Sequence, residues 1–195
     1  MSVEEPTPSQ TVGPFYGYAL PFPGGGDVAP AGHPDTITIH GYVLDGAGQP
    51  IPDALLEFWQ AAPDGRRTGA PGSMRRDPVT GAVIGRNGVD FTGFGRVPTD
   101  PDGRYVLRTL PPGAVGASAP YVAVCVFARG LLHHLFTRIY LPDNAEANAA
   151  DPVLSSLPPA RRATLIATAE RDRVYRFDIR LQGDEREETV FFAFH

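Results

Sequence analysis

Thr36-Ile37-Thr38-Ile39-His40-Gly41-Tyr42-Val43-Leu44 sets apolar residues at alternate positions and runs into the turn Asp45-Gly46-Ala47-Gly48. A period of two is the mark of a strand with one buried face. Working outward, 53–61 (Asp-Ala-Leu-Leu-Glu-Phe-Trp-Gln-Ala) reads as a second, more buried strand. Further strands are expected at Phe94–Val97 and, after the turn Asp100-Pro101-Asp102-Gly103, at Arg104–Leu110. Tyr121–Ala128 is continuously apolar, which predicts a central strand buried on both faces, with Leu135–Leu141 as its hairpin partner. In Val174–Leu181, Tyr175, Phe177, Ile179 and Leu181 alternate with Arg176, Asp178 and Arg180, and Thr189–Phe194 reads as the last strand. Helical spacing is clearest at Pro158–Thr168, with Pro159 in the first turn. The expected fold is all-β: a β-sandwich of short strands with long loops and one short helix.

The composition agrees. The chain has 195 residues, enough for one well-buried domain and short for two. Its 22 glycines and 21 prolines suit tight connections better than long helices. All 17 basic residues are arginines; they are dispersed, and the net charge is −5, which is no footprint of nucleic-acid binding. No run approaches the ~20 apolar residues of a membrane helix. The stretch from Met1 lacks a basic segment and an apolar h-region, so no secretory signal is expected. The single cysteine, Cys125, fits a reducing compartment, and the cytoplasm is the expected location. Residues 1–35 are punctuated by Pro6, Pro8, Pro14, Pro21, Pro23, Pro30 and Pro34, and read as an extended arm ahead of a sandwich domain at 36–195. Residues 62–92 read as one long loop.

The residues by themselves offer little chemistry. Cys125 falls in an apolar strand and reads as an inert thiol. His133 and His134 are adjacent; on a strand they would face opposite sides and could not share an ion, so a structural or surface role is expected. No His-x-His, facial triad, phosphate loop or dinucleotide fingerprint is present.

Motifs go further. Thr7-Pro-Ser-Gln-Thr-Val-Gly-Pro-Phe-Tyr16, Gly41–Pro50 with Ala54–Ala61, Phe94-Gly-Arg96 with Thr109-Leu-Pro-Pro-Gly113, and Tyr175–Gly183 with Glu188–Phe192 occur in that order. Together they resemble the intradiol ring-cleaving dioxygenases, over most of the chain outside 17–35 and 62–92. Phe127-Ala-Arg-Gly130 leading to Thr137-Arg-Ile-Tyr140 resembles in particular the family's alpha chains. That family holds Fe(III) under two tyrosines and two histidines, the latter as His-x-His on a central strand. Here the positions similar to the histidines are Tyr121 and Ala123, one tyrosine position is Val115, and no tyrosine lies between Tyr42 and Tyr105 to supply the other. Alanine and valine have no donor atom. The resemblance therefore implies no metal ligand and no catalytic residue in this chain, with the Fe(III) bound by a partner beta chain in an alpha–beta hetero-oligomer.

What the resemblance implies for this chain is a contribution in trans. Thr11, Gly13, Pro14 and Phe15 would line the partner's substrate pocket, glycine allowing close approach and proline a stiff wall. Arg129 would bind the carboxylate that distinguishes protocatechuate (3,4-dihydroxybenzoate) from catechol, with Arg138 as the alternative. The implied reaction inserts both atoms of O2 and yields 3-carboxy-cis,cis-muconate. Two other readings stay open: a self-sufficient intradiol dioxygenase for catechol or hydroxyquinol, disfavoured by the missing His-x-His, and a non-enzymatic β-sandwich carrier or assembly module.

Overall fold

The structure is a computed structural model and describes residues 13, 15–67 and 74–194. Alternation decides the first sheet. In β1 (Ile37–Leu44) every second side chain is buried, as it is in β6 (Arg104–Thr109). The two run antiparallel, Ile37 opposite Thr109 through Tyr42 opposite Arg104. On its other edge β1 pairs in parallel with β10 (Val174–Arg176) and then β11 (Ile179–Arg180), and β9 (Thr168–Arg171) lies outside β10. The second sheet has the order β5 (Phe94–Pro98), β2 (Leu55–Gln60), β7 (Tyr121–Phe127), β8 (Leu135–Tyr140), all antiparallel. Ile39, Val43, Leu107 and Ile179 from the first sheet meet Leu56, Phe58, Val122, Val124 and Ile139 from the second in one core. Each such side chain removed from water contributes about 1.5–3 kcal/mol. The all-β, sandwich-like expectation holds.

Four details differ from the sequence expectation. Residues 62–92 include a hairpin, β3 (Met74–Arg76) with β4 (Val83–Arg86), closed by a turn in which Asp77 Oδ1 accepts from Val79 and Thr80 N–H. The stretch 174–181 is interrupted: the Phe177 carbonyl crosses over Gly41, where a Cβ would collide with it, and accepts the Tyr105 hydroxyl at 2.6 Å. Thr189–Phe194 crosses between the sheets instead of adding a strand. It bonds to Arg180 in one sheet and to Thr137 and Phe136 in the other. The β7 strand, finally, is not buried on both faces; Val122, Val124 and Val126 face the core, while Tyr121, Ala123 and Phe127 are half-exposed on the other side.

The helices also exceed the one expected. Besides α1 (Tyr16–Ala19), they are α2 (Ala145–Ala150), α3 (Pro152–Ser156) and α4 (Pro159–Ala163) among the described residues. The predicted 158–168 helix stops at Ala163; a turn follows, Ile166 makes an isolated bridge to Tyr140, and β9 begins at Thr168. Asp151 organises this corner: wholly buried, its carboxylate accepts N–H bonds from Val153, Leu154 and Ala119, each at 2.9 Å, and is 3.3 Å from the Tyr140 hydroxyl. Asp151→Ala is expected to destabilise the fold by about 3–5 kcal/mol, because it removes a helix cap and strands buried donors. Urea unfolding measures it, and a loss under about 1 kcal/mol would show the donors find water instead.

Candidate functional site

Two separate surfaces collect the chemistry-bearing residues. The first lies where β7 ends. Gly130, at φ 88°, turns the chain sharply after Arg129, and the Arg129 guanidinium pairs with Asp53 through both Nε and Nη2. Tyr16, nearly buried, donates its hydroxyl to the Asp53 carbonyl at 2.8 Å, fastening α1 to the same spot. Burial first, then the Asp53 charge, push the Tyr16 hydroxyl above its usual range, and Arg129 opposes them. Thr99 fixes the loop beneath, donating to the Ile51 carbonyl at 2.8 Å and accepting from Ala54 N–H at 3.0 Å. The result is a shallow depression of about 260 Å³ floored by Asp53 and Thr99 and edged by Tyr18 and Arg129. Tyr18, which lines it, is 88% exposed, and Phe15, which precedes Tyr16, is 75% exposed. A guanidinium with 68% of its side chain in water retains donors for a second carboxylate.

The second surface is the outer face of β2, β7 and β8. Val115, Tyr121 and Ala123, the positions resembling metal-ligand positions, converge on one small cavity of about 160 Å³ with Trp59, Gln60 and Arg67. Gly113 closes its rim, pressed so near the Ala62 and Pro63 carbonyls that a side chain would not fit. Ferric iron does not fit here: Val115 and Ala123 offer no donor, and the Tyr121 ring lies 4.1 Å beneath the Arg138 guanidinium. Among the described residues no cluster of three or more His, Cys, Asp or Glu side chains could hold a metal. Continuous with this cavity runs a groove of about 540 Å³, walled by Trp59, Phe127, Phe136, Phe192 and Phe194. Cys125 lies in its floor, its thiol pushed up to about 12 by burial and by the nearby Glu57 charge, which leaves it unreactive.

Of the residues singled out in the sequence, Arg129 lines the first surface and Arg138 the second, while Phe15 is the exposed N-cap of α1, one residue before Tyr16. Thr11 and Pro14 lie outside the described residues; Gly13 is described. His133 and His134 sit in a bend ahead of β8, not on a strand. The His134 ring packs edge-on against Phe136, centroids 4.7 Å apart. Sequence reading missed Asp53 and Tyr16 as neighbours of Arg129, since 76 residues separate Arg129 from Asp53. It also missed Trp59, whose place on the outward face follows from the alternation of β2 once Phe58 is known to be core.

The geometry can be set beside known proteins. Residues 26–125 match the family described as Dioxygenase. The chain is 44% identical to the protocatechuate 3,4-dioxygenase alpha chain of Burkholderia cepacia, over 98% of this chain and 99% of that one. It is 31% identical to the beta chain of the same enzyme from Burkholderia cepacia, over 76% of this chain and 65% of that one. Among solved structures, the dioxygenase domain of a dioxygenase carbohydrate-binding protein fusion from Streptomyces sp. SirexAA-E superposes with a TM-score of 0.54 at 26% identity. That match covers 95% of this chain and all of the other.

Proposed function

We propose that this chain, which belongs to the intradiol ring-cleavage dioxygenase family, is the alpha subunit of a protocatechuate 3,4-dioxygenase and completes a substrate pocket on a beta subunit. The near end-to-end likeness to an alpha chain carries the reading. Two features of the chain support it. Of its positions resembling metal ligands, Val115 and Ala123 offer no donor atom and Tyr121 offers one, too few to hold iron, and its arm and Arg129 meet on a single exposed surface suited to a partner's site. Family chemistry depends on non-heme iron, which polarises the bound catechol for reaction with O2; in this reading the beta chain holds that Fe(III).

This chain's residues bind and orient. Thr11, Gly13, Pro14 and Phe15 form a wall against the substrate ring, and Arg129 takes the protocatechuate carboxylate. The arm, 1–35, is the reaching element and the sandwich, 36–195, its base; Phe22 and Val28, both buried, anchor the one on the other. Arg138 is the weaker candidate for the carboxylate, because it lies on the other surface, away from the arm. Association into a higher-order alpha–beta hetero-oligomer and a cytoplasmic location belong to the same proposal. Among the described residues no helix is long and apolar enough to cross a membrane, and the single cysteine suits a reducing compartment.

The Asp53 pair makes the test of Arg129 sharper. Arg129→Ala in the assembled enzyme should lower kcat/KM for protocatechuate roughly ten- to a hundredfold, the worth of a charge-assisted pair of hydrogen bonds, and spare catechol. Asp53→Asn should leave protocatechuate turnover nearly intact, since it removes only the competing carboxylate. Equal losses for both substrates, or a loss from Asp53→Asn matching that from Arg129→Ala, would make Arg129 a structural anchor.

A further inference from the structure

The aromatic groove on the second sheet has features that a packing surface does not need. Cross-strand register puts Trp59 of β2 opposite Ala123 of β7, and Ala123 opposite Arg138 of β8. Their side chains share one face, so a methyl group separates an indole from a guanidinium in a single row. Directly opposite residues on adjacent strands have Cβ atoms about 4.5–5.5 Å apart, which makes Ala123 the floor of a notch about two strand spacings wide. Phe192 and Phe194 rise over the same groove.

Arg138 is prepared for an anion. Its guanidinium lies 4.1 Å from the Tyr121 ring centroid and 5.4 Å from that of Phe192, between two aromatic groups. Among the described residues it makes one hydrogen bond, to the Tyr140 hydroxyl at 3.1 Å, and no ion pair. A guanidinium has five N–H donors, so most are unspent. The carboxylate lining the same groove, Glu57, does not satisfy it: Glu57 accepts from Arg96 Nε at 2.8 Å and is neutralised there. The groove's volume, about 540 Å³, lies in the ordinary range of small-molecule sites, about 300–1,000 Å³. Apolar aromatic walls with one convergent cation select a flat ring bearing a single negative charge.

We propose that this groove binds a small aromatic carboxylate, its ring laid over Ala123 beside Trp59 and its carboxylate held by Arg138. The site is non-catalytic and belongs to this chain alone. It shares no lining residue with the depression at Arg129, so it stands or falls apart from the role given to Arg129 above.

Trp59, the chain's single tryptophan, reports directly on the groove. The full chain, purified without a partner, is titrated with benzoate and with benzamide, its neutral near-isostere, by Trp59 fluorescence and by calorimetry. Benzoate should bind saturably and at least about tenfold tighter than benzamide, the worth of one charge-assisted contact. Arg138→Met should remove that preference, and Arg138→Lys should restore part of it. If Arg138→Met fails to fold, Ala123→Phe gives an independent reading: a ring on the notch floor should abolish binding of both ligands. No saturation below about 10 mM benzoate, equal affinity for the two ligands, or binding indifferent to Ala123→Phe would overturn the proposal.

Discussion

The chain purified without a partner is expected to carry far less than one iron per molecule and to cleave neither protocatechuate nor catechol. An open ferric site needs several convergent, deprotonatable donors. Here Val115 and Ala123 contribute only hydrocarbon to the cavity where such donors would stand. Tyr121, which has a donor, lies under the Arg138 guanidinium, its ring centroid 5.9 Å from that of Tyr140 and tilted against it. One phenolate cannot retain iron against hydrolysis and dilution. Metal analysis after purification from iron-replete cells, with an oxygen-electrode assay, measures both halves. Stoichiometric iron with a tyrosinate-to-iron colour, or ring cleavage by the lone chain, would return the reading to a self-sufficient dioxygenase. Adding a beta chain should bring activity and iron together, the iron eluting with the beta chain when the two are separated.

How far the sequence revealed this follows from where each residue's constraint comes from. Strands with one buried face announce themselves: Ile37, Ile39 and Val43 in β1, and Tyr175, Phe177 and Ile179 near the end, alternate because water lies on one side and the core on the other. The β3–β4 hairpin gives no such signal. None of its strand residues is buried, and a side-chain turn at Asp77 holds it together. Phe191, Phe192 and Phe194 look like a strand because they are apolar, yet their segment crosses between sheets through single hydrogen bonds. The α3 start was marked by Asp151-Pro152, a cap followed by proline at N1, a signal too local to weigh against a strand-rich background. For the site, Arg129 was visible only through its motif. Its partner Asp53 comes from a distant part of the chain, and pairing at that separation is a product of the fold. The apolar run Tyr121–Ala128 misled in a useful way: it looked buried on both faces because its outer face is aromatic and small where a lone soluble domain would be polar.

Deleting residues 1–15 is expected to abolish useful turnover of the assembled enzyme while leaving this chain folded and the complex loaded with iron. The cut falls just before the anchors. Tyr16 would keep its bond to the Asp53 carbonyl, and Phe22 and Val28 would keep their places against the sandwich. Phe15, the last residue removed, is 75% exposed and adds little to the core. Residues 1–15 also carry few apolar side chains that could serve the core, so stability should change by less than about 1 kcal/mol. Function should change far more. A wall of Thr11, Gly13, Pro14 and Phe15 would position the ring and exclude water, and a misplacement of about 1 Å at a reacting centre can cost a hundredfold. A loss of at least that size in kcat/KM is expected, with KM raised and kcat lowered, because both orientation and binding depend on the wall. The comparison with Arg129→Ala separates the two contributions: the deletion should penalise catechol as heavily as protocatechuate, since the wall meets the ring, whereas the arginine meets only the carboxylate. Unchanged kinetics in an intact, iron-loaded complex would show that the arm serves no pocket. A drop in iron content or in assembly would show instead that it works as an interface strap, leaving Arg129 as this chain's one contact with substrate.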